Sequence, residues 1–331
     1  MSTARLIPET WELSGDDAWK TLQHNGRRRL LRDAFLRMRW SDGFSHSRSL
    51  AFLVALAAVQ GIIALVGVAS AFGGSDVADV IVGAVKGAAP GPVAGLLTDA
   101  VTQAHGQASA HNYLPLILGT VGWLVTATVA MGQLERGLNR LYGVEQDRPF
   151  PHKYGLALLL AASSGVVLAA GFALLAFGRT VSAATESGAA ARALDLGSWP
   201  VSLVVLGATI ALLFRWCPRR HQPAWSWLAF GSGVSLVLWS VISIGMGTFF
   251  RHSADFGETY GALAGMVALL LWALLSSMAL FFGAAVAAQL EAVRAQAASP
   301  QDQEKVEASE PDAAAPCAEP SSELSLSGRR A

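Results

Sequence analysis

The residues best equipped for chemistry lie in one short stretch, FRWCPRRHQPAWSW (Phe214 to Trp227), which sets Cys217, His221, Arg215, Arg219 and Arg220 between two long apolar runs. A thiolate and an imidazole are zinc ligands, and a histidine beside metal-binding acids is nuclease equipment. The spacing argues against both. Pro218 interrupts any helix that would stack Cys217 and His221 on one face, and zinc would need two further ligands. His24, His46 and His152 lie on separate segments, and the second cysteine, Cys317, is in a polar tail. Glu135, Glu145, Asp147 and Glu291 show no paired spacing, such as D-x-D, for holding metal ions. The sequence therefore predicts no catalytic site, no metal and no cofactor. The stretch reads as a basic, proline-bounded turn whose arginines fix orientation at a membrane surface.

The flanking elements follow from composition. The chain is 53% apolar and 15% charged, with positive mean hydropathy. Charge-free runs cover about 49–72, 114–134, 154–178, 198–214, 224–250 and 260–290. Each is near the roughly 20 residues that cross a bilayer as a helix. A central Arg or Asp costs roughly 2.5 to 3.5 kcal/mol there, so such runs point to six transmembrane helices in an all-α bundle. The expected organisation is a basic arm (1–48), a six-helix membrane domain (49–290) and a polar tail (291–331). The arm is polar, so a cleaved secretory signal is not expected.

Twenty of the 24 Lys and Arg residues fall in alternate connections and the two ends, and four in the intervening loops. That asymmetry predicts both termini in the cytoplasm. Trp199, Trp216, Trp225 and Trp227 sit near span ends as interfacial anchors. Within the arm, Leu31, Ala34, Phe35 and Met38 recur at helical spacing among Arg27, Arg28, Arg29, Arg32, Arg37 and Arg39. This predicts a basic amphipathic helix resting in anionic headgroups, with membrane lipids as its partners and no nucleic acid expected. Loop 73–113 has apolar helical spacing broken at Pro90 and Pro92, which predicts two short capping helices. The tail, rich in Ala, Glu, Pro and Ser, predicts disorder. Gln133-Leu134-Glu135 and Gln289-Leu290-Glu291 recur at the ends of the second and sixth runs, a match short enough to arise by chance.

No assigned span contains an ionisable Asp, Glu, Lys or Arg, which disfavours ion-coupled transport. The interior instead offers Gln60, Gln133 and Gln289, and glycines such as Gly231, Gly261, Gly265 and Gly283 that let helices approach closely. Trp123, Trp239 and Trp272 lie inside spans, where an indole N–H wants a Ser or Gln partner. A polar path is expected along Gln60, Gln133, Trp239, Tyr260, Gly261, Gly265, Trp272 and Gln289.

The stretches LFRWCPRRHQPAW, GSGVSLVLW, YGALAGMVALLLWALLSSMALFFGAAVAAQ and LNRLYGVEQDRPF resemble the YihY/BrkB family of bacterial inner-membrane proteins, once labelled ribonuclease BN-like. The resemblance covers roughly Arg32 to Glu291. It implies six helices, both ends in the cytoplasm, no established enzymatic activity and a cell-envelope role. Family-like positions are Asn139, Tyr142, Pro218, Trp239, Tyr260, Gly261, Trp272 and Gly283. Two departures stand out: Val59-Gln60 replaces a common Phe-Pro, and Ala285 and Ala287 stand where the family commonly has Glu and Asn. Transport or handling of a lipid-like or amphipathic cargo is the leading expectation. A non-transporting envelope scaffold is the alternative, and a membrane-bound ribonuclease is favoured only by the old label.

Overall fold

A computed structural model describes residues 6–10, 12–71, 82, 91–109, 114–184, 188–252 and 262–297. Among them are nine helices longer than one turn: α1 (Gly15–Asn25), α2 (Arg27–Trp40), α3 (Gly43–Ala71), α4 (Gly91–Ser109), α5 (Leu114–Tyr142), α6 (Phe150–Ala184), α7 (Gly188–Trp216), α8 (Trp225–His252) and α9 (Ala262–Arg294). No strand occurs among the described residues.

The expected single basic helix is two. Gly26, at φ 77°, breaks α1 from α2 in a left-handed conformation that a residue with a Cβ rarely adopts. Asp17 starts α1 by accepting from Ser14 N at 3.2 Å and Ser14 Oγ at 2.9 Å. Asp42, at φ 53°, turns α2 into α3.

Four helices are long and apolar enough to cross a membrane among the described residues: Gly43–Gly67, Ile117–Tyr142, Trp225–His252 and Leu263–Arg294. Their outward faces are apolar. On α8, Val237, Val241 and Ile244 fall at helical spacing and are 62 to 67% exposed, a stripe that water would not tolerate and hydrocarbon accepts. The third and fourth expected spans lie in α6, 35 residues long, and α7, 29 residues long. In α7 the apolar segment Pro200–Trp216 makes up the larger part of the helix but is shorter than the four spans above. Helices outrun the apolar runs at one end: α5 continues to Tyr142 and α9 to Arg294, so Glu135 and Glu291 are helical rather than in a loop and a tail.

The most extensive pairing is α3 with α5, followed by α8 with α9; α9 also packs on α3 and α2. Of loop 73–113, α4 is a single helix through Gly91–Ser109, seated on α3 and α9. Its contact is close at Gly265, whose Cβ, were it present, would lie 3.0 Å from Leu96 Cβ. Most of the loop before α4, and residues 298–331 of the expected tail, lie outside the described residues.

Candidate functional site

Charged and amide side chains that are far apart in sequence meet where α5, α7, α8 and α9 end beside α2. Burying an unpaired charge costs several kcal/mol, so each of these groups has to find a counter-charge or hydrogen bonds. Glu291, in the last turn of α9, is fully buried and pairs with Arg220 Nη2 at 2.5 Å, a side chain only 2% exposed. Arg220 also lies over the Tyr142 ring, 4.6 Å from its centroid. Two residues before Glu291, Gln289 Oε1 accepts from Arg37 Nε at 2.8 Å, and Arg37 Nη1 donates to the Leu141 carbonyl at 3.3 Å. Burial pulls the Arg37 guanidinium down to about 10, against the pull of Tyr142 and Glu291.

A second network adjoins the first. Arg148, just past α5, pairs with buried Glu135 at 3.2 Å and donates to the Cys217 and Pro218 carbonyls at 2.6 and 2.9 Å. Asn139 is the hub on the other side. Its Nδ2 donates to Asp147 at 3.1 Å, and its Oδ1 accepts from Arg219 N at 2.8 Å. Asp147 further accepts from Lys153 at 2.8 Å and Arg136 at 3.3 Å. Burial pushes the Asp147 carboxyl up, but hydrogen bonds from Lys153 and Asn139 outweigh it and hold the group below its ordinary 3.8. Loop 143–149 and the α7–α8 turn are thereby stapled to each other and to the bundle.

The turn that opened the sequence question is resolved by these contacts. Cys217 is fully buried, and burial pushes its thiol up to about 12, whereas the His221 side chain is 77% exposed and faces Glu9 at 3.3 Å. The two do not converge. No group of three His, Cys, Asp or Glu suited to a metal ion occurs among the described residues. The arginines are committed to the protein: Arg215 donates to the Gln222 and Pro223 carbonyls and Arg219 to the Asp147 carbonyl.

The basic arm is corrected at one residue. Arg27, Arg28, Arg29, Arg32 and Arg39 are exposed, but Arg37 is 2% exposed and held by Gln289, so it is not available to headgroups. The expected polar path is dispersed over several interfaces. Gln133 meets His46 Nδ1 at 3.1 Å, and Gln289 is held by Arg37. Trp239 and Trp272 stack 6.2 Å apart, with Trp272 Nε1 donating to Ser243 Oγ at 3.0 Å. Gly265 faces α4, and Tyr260 and Gly261 lie outside the described residues. Gln60 stays apart, its amide 3.2 Å from where a Cβ on Gly122 would be, and its buried Oε1 has no hydrogen-bond partner among the described residues. Of the family-like positions, Asn139, Tyr142 and Pro218 meet at the charged end. Gly283 sits deeper, where α9 crosses Gly231 and Ser235 of α8 with no room for a Cβ, and Ala285 and Ala287 are fully buried beside it.

Glu291, Glu135 and Arg220 were the residues that sequence reasoning missed. The signal was the repeated Gln-Leu-Glu. In both copies the Leu is buried, the Glu is buried against an Arg from a neighbouring connection (Arg148 or Arg220), and the Gln meets a residue N-terminal to the second span (His46 or Arg37).

Long apolar helices with exposed aliphatic stripes and a charged, stapled end define a multi-pass helical membrane protein. The chain belongs to the family described as Virulence factor BrkB, whose model matches residues 34–308. Among curated proteins it is 23% identical over 265 residues to the ribonuclease-like protein YfkH of Bacillus subtilis, covering 78% of this chain and 94% of the relative. It is 24% identical over 170 residues to a UPF0761 membrane protein of Alteromonas mediterranea, covering 50% of this chain and 56% of that one. A UPF0761 membrane protein of Stenotrophomonas maltophilia is 26% identical over 185 residues, 54% of this chain and 42% of the relative. The matches thus span nearly all of YfkH but about half of these two UPF0761 proteins. No solved structure matches.

Proposed function

We propose that the chain is a six-span inner-membrane protein with both termini in the cytoplasm, handling a lipid-like or amphipathic cargo in the cell envelope. In this reading α6 and α7 supply the third and fourth spans, and the stapled charged end is cytoplasmic, in keeping with the Lys and Arg asymmetry. The observation that carries it is Gln60. An amide oxygen buried in α3 without a partner among the described residues costs on the order of a few kcal/mol in hydrocarbon, a penalty that contact with a polar portion of a cargo would offset. The apolar runs of α3 and α5 that meet at Gln60 and Gly122 contain no Asp, Glu, Lys or Arg, which suits an amphipathic cargo better than a coupled ion.

Scaffolding is the second reading, favoured by the outer face of α2, where five arginines flank Leu31 and Phe35, 46 and 47% exposed. Such a face suits anionic lipid headgroups. Catalysis is not part of the proposal, since Glu135, Asp147 and Glu291 are each engaged by basic groups and the name of YfkH supplies no residue for cleaving RNA.

Gln60→Leu tests the cargo reading. The variant is expected to accumulate as well as the parent and to fail to restore the envelope lipid composition and permeability of a deletion strain. Full restoration by Gln60→Leu refutes the role given to this amide.

A further inference from the structure

Ahead of α1, residues 6–10 and 12–14 lie across the charged end of the bundle as a strap. Ile7, 1% exposed, packs with Tyr142, Ala288 and Ala292, and its N–H donates to the Tyr142 carbonyl at 3.2 Å. The Pro8 carbonyl accepts from Arg220 Nη2 at 3.3 Å, and Thr10 Oγ1 donates to Glu291 Oε1 at 2.7 Å. Glu9 Oε1 accepts from the His221 N–H at 3.2 Å, and the Leu13 carbonyl accepts from Ala224 N at 3.3 Å. The strap therefore touches the ends of α5 and α9 and, at Arg220, His221 and Ala224, the α7–α8 turn. It also lies outside the stretch that defines the family, which begins at residue 34.

We propose that this strap is a releasable closure of the charged end, holding the Arg220–Glu291 centre shut from the aqueous side. Three observations support it. The described residues of the strap, 6–10 and 12–14, form no helix or strand, and the buried side chains among them are Ile7 and Leu13, whose hold and that of the bonds above is opposed by the entropy of ordering the segment. Two of its polar contacts, from Thr10 and the Pro8 carbonyl, fall on the buried ion pair itself. Beneath it the pair is incompletely satisfied: Arg220 Nε and Nη1 and Glu291 Oε2 have no hydrogen-bond partner among the described residues, so water gains bonding sites when the strap leaves.

Cys217 gives a direct readout, because it is buried in the same cluster as Leu13 and Trp227. The experiment uses the full-length chain carrying Cys317→Ser in lipid nanodiscs, with both faces open to N-ethylmaleimide, so it depends neither on orientation nor on transport and can fail while the cargo reading stands. An Ile7→Ala, Thr10→Val double variant, and separately a deletion of residues 2–14, are expected to raise the Cys217 modification rate by about tenfold or more, a change of the order of one lost hydrogen bond or buried methyl group. Size-exclusion profile and helical circular dichroism should stay those of the parent. Unchanged reactivity in a folded variant overturns the proposal, as does a parent whose Cys217 reacts as fast as in detergent-denatured chain. Loss of monodisperse protein in both variants overturns it too, since the segment would then be an integral part of the core rather than a closure.

Discussion

The charged end and the middle of the bundle solve the same problem with different chemistry. At the charged end the chain brings irregular backbone and ionised side chains into a crowded volume, and stability rests on reciprocal pairing: Glu291 with Arg220, Glu135 with Arg148, Asp147 with Lys153. In the middle there is almost nothing to pair, and cohesion rests on fit. Gly61 and Gly165 leave the space taken by the Trp123 ring, and Gly231 and Gly283 let α8 and α9 meet backbone to backbone. A pairing region fails when one partner goes missing, and a fitting region fails when something is added.

The largest expected effect follows from that contrast. Glu291→Ala strands Arg220 beneath Tyr142 and should destabilise the protein by about 3 to 5 kcal/mol, read as a lowered thermal midpoint in detergent. The Glu291→Met, Arg220→Met double variant should recover most of that loss. A double variant as unstable as the single would show that packing, not pairing, rules this end. Next, Gly283→Ala adds one methyl group where it would overlap the Ser235 hydroxyl and the Gly231 carbonyl, for an expected loss of about 1 to 3 kcal/mol in the same assay. An unaltered midpoint would mean that α8 and α9 are not held in contact. The smallest effect is pH-dependent. The folded-state pKa of Asp147 lies below its ordinary 3.8, so its stabilisation is present above that value and is lost as pH falls through the folded one. Asp147→Asn should therefore be modestly less stable than the parent at pH 7 and flatten the decline in stability below about pH 4. Parallel stability-versus-pH curves for the two proteins would remove Asp147 from the staple.

Much of the middle was legible in the sequence and little of the end was. Charge-free runs located four apolar helices because hydrocarbon imposes one requirement on every residue in a span. At the turn, Pro218 signalled that Cys217 and His221 would not share a helical face, and the structure buries the first and exposes the second. The partners at the charged end were hidden because pairing is a tertiary fact. Arg37 looks like its exposed arginine neighbours until α9 supplies Gln289, and Glu291 looks like the start of a polar tail until Arg220 folds over it. Gly26 shows the same limit locally, since apolar residues recur at helical spacing only over 31–38 and a φ of 77° at Gly26 sets where that helix begins.

The clasp between the two ends of the chain also sets a clock. Thr10 and Glu291 are 281 residues apart, and Arg37 and Gln289 are 252 apart, so the earlier-made member of each pair waits through most of the bundle's synthesis for its partner. Contacts of such long sequence separation form late, after the loop-closure entropy has been met. During synthesis Arg37 and Arg220 are cations without their α9 partners, open to water, headgroups or a chaperone. A nascent chain cut short before α9 would leave both cations without the partners that α9 brings.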